Sequence, residues 1–264
     1  MKVWTEIALR RHRVVARCAL AVLVGLAWAW LMTGAGTGMN PTASFVLSPV
    51  AESSMSGMSM ASPWTAGRFI LAFAMWWVMM VAMMLPSAAP TILLYARAAI
   101  GNTALRPATE TFLVGYLVVW GLFSLLASVL QAMLEWMHLL VQMEMTLTSR
   151  TVSAVLLISA GVYQLSPFKQ ACLRHCRGPA DFISRHFAPG RAGALRMGMV
   201  HGAYCVGCCW LLMTLLFVGG IMNLAWIGFL TLLVAAEKLL PFGSYIGKFA
   251  GFGCTIWGIA ILAR

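Results

Sequence analysis

The segment HGAYCVGCCWLLM, beginning at His201, places one imidazole and three thiols within nine residues and then runs into apolar sequence. On a helix His201, Cys205 and Cys208 fall at i, i+4 and i+7, inside an arc of about 60°. Met197 lies on the same stripe and Cys209 at its edge. Upstream, GVYQLSPFKQACLRHCRGP gathers Cys172, His175 and Cys176 into five residues, with the two thiols one helical turn apart. Thiolates with imidazole are a donor set for Cu(I), with zinc as the other metal such ligands hold. Two other readings stay open: redox pairing of the thiols, and inert packing, since a free cysteine behaves as a small hydrophobe. Five of the seven cysteines fall in these two groups, each group with a histidine, which favours metal ligation. Cys18 and Cys254 stand alone on apolar segments and read as core.

Thioethers form a second soft-donor pattern. In MWWVMMVAMMLPSAAP, Met75, Met79 and Met83 recur at i, i+4 and i+8, with Met80 and Met84 as a neighbouring pair. Met79 and Met83 are candidate ligands on a thioether track; gap-filling in a helix core is the alternative for the same residues. Pro86 withholds a donor from the Ala82 carbonyl, so the helix is expected to kink or open there, with Pro90 four residues on. SSMSGMSM sets Met55, Met58 and Met60 among small polar residues, either to capture Cu(I) or as a plain connector. Glu237 precedes Lys238, and adjacent helix positions do not face one another. Glu237 is therefore expected to seek a partner on another helix near the His201 end, where it offsets cationic charge or lies among headgroups. Asn223 is expected to cap or bridge helices.

The elements that must position these residues are membrane helices. With 61% hydrophobic and 9% charged residues and a mean hydropathy of +0.87, the chain has too little polar surface for a soluble globule of 264 residues. The expected fold is all-α and polytopic, a single domain with apolar stretches at about 14–33, 68–94, 109–134, 150–166, 196–218, 222–239 and 243–263. That gives about seven spans, or six with a re-entrant piece, because little more than Gly219 and Gly220 separates the fifth from the sixth. Two longer polar stretches remain, an outer Met-containing loop at 34–67 and a cytoplasmic Cys/His-containing loop at 167–195. With the N-terminus inside, Lys2, Arg10, Arg11, Arg13, Arg17, Arg97, Arg106, Lys169, Arg174, Arg177, Arg185, Arg191, Arg196, Lys238 and Lys248 lie on the cytoplasmic side, and only Arg68, Arg150 and Arg264 outside. The +11 charge then reflects topology and anionic lipid rather than a nucleic-acid partner. The basic N-terminal run and its long apolar stretch read as an uncleaved anchor rather than a signal peptide.

At MWWVMMVAMMLPSAAP, GYLVVW, GVYQLSPFKQACLRHCR and HGAYCVGCCWLLMTLLFVGGIMNLAWIGFLTLLVAAEK, about a third of the chain, the sequence resembles a bacterial family of metal-binding integral membrane proteins. Some of its members are described as copper chaperones for copper oxidases such as tyrosinase. The resemblance implies a helical membrane fold and copper or other soft-metal handling, with Cys172, Cys176, His201, Cys205, Cys208 and Cys209 at the positions of its Cys/His motifs. The expected function is non-enzymatic: an inner-membrane protein that binds Cu(I) and passes it to a copper-dependent enzyme or across the bilayer. No GxxxxGK[ST] loop is present to supply ATP energy. A thiol oxidoreductase working with a quinone, and a structural subunit of a membrane complex, are the alternatives.

Overall fold

The computed structural model describes residues 2–35, 64–98, 108–141 and 145–263. The Met55, Met58 and Met60 cluster lies outside the described residues.

Three helices open the chain: α1 (Lys2–Met32), α2 (Ala66–Ala98) and α3 (Thr109–Trp136). A two-residue antiparallel pair follows, β1 (Leu140–Val141) with β2 (Thr146–Leu147), in register Leu140 to Leu147. The remainder is helical: α4 (Arg150–Leu165), α5 (Pro167–Arg177), α6 (Pro179–His186), α7 (Gly190–Thr214), α8 (Leu216–Gly219), α9 (Leu224–Leu239) and α10 (Gly243–Leu262).

Burial on α3 is the reverse of a soluble helix. Val114, Val118, Leu122, Leu125, Val129 and Met133 are exposed, while Ser124, Ser128, Gln131 and Glu135 are buried. An apolar exterior around a polar seam is what a lipid solvent selects. α1, α2, α3, α7 continued by α8, and α10 are each long and apolar enough to cross a bilayer. α4 and α5 make a sixth span if their bent pair is counted as one. The sequence led to about seven spans, or six with a re-entrant piece. The segment at 222–239 became α9, whose 16 residues reach about 24 Å against a hydrocarbon core of about 30 Å.

Local chemistry explains the breaks. Ser166 sits in extended conformation before Pro167, ends α4, and accepts the Lys169 amide at 3.2 Å to cap α5. Proline at the first helical position starts a helix while pushing the preceding residue out of the helical region, so the axis turns by 63°. Gly220, at φ +93°, breaks the chain between α8 and α9. The Asn223 side chain then caps α9 by accepting the Trp226 amide at 3.1 Å, the role expected of it. α2 continues as helix through Pro86 and Pro90 rather than ending there.

Two close helix pairs set the frame, α3 along α7 and α4 along α10. A Cβ at Gly198 would collide with the Phe112 carbonyl, and one at Gly115 with the Leu195 carbonyl. Those glycines let α3 approach the cysteine-bearing stretch of α7. α1 packs along α2 and leaves Cys18 exposed instead of in the core; Cys254, on α10, is half-buried and packed against the core.

Candidate metal centre

α7 turns the sequence's His/Cys stripe inward. Met197, His201, Cys205, Cys208 and Cys209 are all buried. α5 folds back against α7, and its own buried face holds Lys169, Leu173 and Cys176. Cys172, half-buried, points at Gly207, where a Cβ would come within 3.0 Å of its sulfur. The missing side chain at Gly207 is what admits α5 to this distance.

Cys176 of α5 and Cys209 of α7 both lie near enough to the Cys205 and Cys208 thiols to interact with them electrostatically, so buried sulfurs of two helices share one region. Cys208 and Cys209 donate to the Cys205 carbonyl at 3.1 and 2.9 Å, which leaves the Cys205 sulfur free for other partners. It has two: the Lys238 ammonium at 3.0 Å and the Tyr116 hydroxyl at 3.2 Å. Lys238 also reaches the Ser87 hydroxyl at 3.4 Å. An ammonium taken out of water costs several kcal/mol unless an anion compensates it. The sulfur in contact is the natural source of that charge, so Lys238 and Cys205 fit an ammonium–thiolate pair.

His201 lies one turn from Cys205, its ring walled by Phe112, Tyr116 and Phe182 at centroid distances of 6.1, 5.9 and 5.1 Å. Its Nδ1 is buried without a hydrogen-bond partner, an arrangement that ordinarily costs about 1–3 kcal/mol. His175 Nδ1 donates to the Ala171 carbonyl at 2.9 Å and its ring stacks on Tyr204 at 4.1 Å. Met79 and Met83 are buried in the core of α2. The thioether set against a thiol is their neighbour Met84, whose sulfur lies 3.8 Å from that of Cys209.

Among the described residues no three His, Cys, Asp or Glu side chains stand in a metal-holding group. The zinc alternative gains no support: a structural zinc site presents four ligands in a tetrahedron, and an ammonium beside the sulfurs opposes a divalent ion.

A family model described as PpoB2, copper chaperone, matches residues 73–261. The chain belongs to this copper chaperone family. No curated protein and no solved structure matches it. The residues matched to the family take in the α2 methionines, the α5 thiols and the α7 stripe, whereas Met55, Met58 and Met60 fall before them.

Sequence reasoning named Met84 only as half of a neighbouring pair, and passed over Lys238, Tyr116 and the ion pair behind α5. Lys169 and Lys238 were counted as cytoplasmic loop charges; both are buried, Lys169 completely. Lys169 pairs with Glu237 Oε2 at 2.5 Å and hydrogen-bonds Gln164, whose amide reaches Glu237 Oε1 at 2.7 Å. Glu237 has therefore found the partner on another helix that its position demanded. A detectable signal did exist, since Lys169, Cys172 and Cys176 share one face of α5 at i, i+3 and i+7.

Proposed function

We propose that this member of the copper chaperone family holds Cu(I) as cargo inside the membrane, between two thiolates drawn from the sulfurs of Cys205, Cys208, Cys209 and Cys176, so that the single negative charge is balanced by Lys238, and releases it by ligand exchange to a copper-dependent enzyme. The observation that carries the reading is the convergence of α5 and α7 thiols around one buried ammonium. Thiolate and thioether donors select Cu(I) over harder ions, and Met84 and the unpartnered His201 nitrogen extend the donor set. Cys176 arrives on a short amphipathic helix rather than on a spanning one, so it is the ligand best suited to come and go during transfer. The site lies in the inner membrane toward the cytoplasmic side, and the protein performs no bond chemistry on a substrate. Basic residues at this end, among them Arg174, Arg185 and Arg191, support that orientation.

The test is copper content per chain in detergent-purified protein, wild type against Cys205→Ser/Cys208→Ser. Stoichiometric copper in the wild type and its loss in the double variant is the expected result. Equal content in both ends the proposal.

A further inference from the structure

All five methionines between Met75 and Met84 turn inward, none more than 1% exposed. The same helix sends Ile70, Leu71 and Trp77 outward, whereas from Met79 to Leu85 every residue but half-buried Val81 is buried, so four of the five methionines lie where the helix is enclosed on nearly all sides. At 100° per residue Met75, Met79 and Met83 follow one line and Met80 and Met84 a second beside it, together covering about 14 Å of helix.

One end of this file meets a soft group: the Met84 sulfur lies 3.8 Å from that of Cys209. At the level of the other end, Trp76, next to Met75 in the chain, donates to Gln131 Oε1 at 2.8 Å, and Gln131 Nε2 lies 4.0 Å from the Met145 sulfur. Gln131 is bonded in turn to Glu135, which pairs with Arg68 at 2.6 Å.

We propose that the α2 methionines are a second soft-cation site, a thioether relay that passes a monovalent soft ion between the Gln131–Met145 end and the thiol centre. The proposal rests on the thiol reading above. Thioethers are neutral and need no deprotonation, so they lower the cost of a charge in the bilayer interior without trapping the ion. Methionine has three rotatable bonds and can swing its sulfur from one neighbour to the next, whereas leucine would fill the same volume with better-defined rotamers. Each transfer forms one metal–sulfur bond as another breaks, and no electron changes hands.

Redox-inert Ag(I) is the probe, titrated into detergent-solubilised full-length protein carrying ¹³C-methyl methionine, with signals assigned by single Met→Leu variants. Alkylation of Cys205 and Cys208 is followed in parallel. The expected result is protection of the thiols by the first additions, then shifts of the Met75, Met79, Met83 and Met84 methyls, while exposed Met32, Met133 and Met137 stay in place. Methyls of Met75, Met79 and Met83 that remain fixed to saturation, with the thiols protected, overturn the relay alone. Thiols that stay open to alkylation at saturation overturn the thiol centre and the relay with it.

Discussion

At Cys205 one sulfur faces an ammonium and a phenol hydroxyl, while the neighbouring thiols donate to its carbonyl. This division of labour singles out Cys205 as the anionic ligand and Lys238 as its counterion. Hydrogen bonds to charged groups contribute about 1.5–3 kcal/mol. Replacing Lys238→Met is therefore expected to weaken Cu(I) binding by roughly ten- to a hundredfold, read by competition with a chromophoric Cu(I) chelator. Lys238→Arg, which keeps the charge, is expected to recover most of the loss. An affinity unchanged in Lys238→Met would remove the lysine from the site.

At the scale of elements, α5 is the piece whose placement decides the site. Its Cys176 joins the α7 thiols because Lys169, two turns earlier on the same face, is tied to Glu237 of α9 and Gln164 of α4. Arg177 adds a second tie at the other end, donating to the carbonyls of Leu240 and Pro241 at 2.9 and 2.7 Å. Removing one partner of a buried pair strands the other charge and costs about 3–5 kcal/mol, whereas removing both is often nearly neutral. Glu237→Gln is expected to lower the thermal midpoint in detergent and to speed alkylation of Cys176. The double variant Lys169→Met/Glu237→Gln is expected to regain most of that stability. A single variant as stable as wild type would show that the tie does not hold α5.

Across the whole molecule, the aliphatic residues of α3 from Val114 to Met133 face outward, while its polar residues from Ser124 to Glu135 and Phe112, Tyr116 and Trp120 face inward, and α3 packs along α2 and α7. The thiol centre and the Arg68–Glu135–Gln131 network occupy different levels of that interior, joined along α2. α4 and α5 pass as one bent span, and we propose that this pair crosses the bilayer, with the exposed positions before α4 and after α5 on opposite faces. In a chain whose native cysteines are replaced, Thr148→Cys and Ser184→Cys are expected to react with an impermeant maleimide from opposite sides of sealed vesicles. Labelling of both from the same side would refute that arrangement.

Hydrophobic runs and helical spacing made part of this protein legible without coordinates: its membrane class, its helical content, and the stripe from Met197 through His201 to Cys208 on α7. These are local properties, governed by a repeat of 3.6 residues and by the price of polar groups in hydrocarbon. Span count was less legible, because Ser166–Pro167 and Gly220 bend or break segments whose hydropathy runs on. Partner choice was not legible at all. Lys238 against Cys205, Glu237 against Lys169, and Met84 rather than Met79 or Met83 beside Cys209 depend on how helices far apart in the chain are rotated and packed. Adjacent residues on one helix point about 100° apart, so Glu237 and Lys238 serve two separate clusters, and only the tertiary structure decides which cluster each one enters.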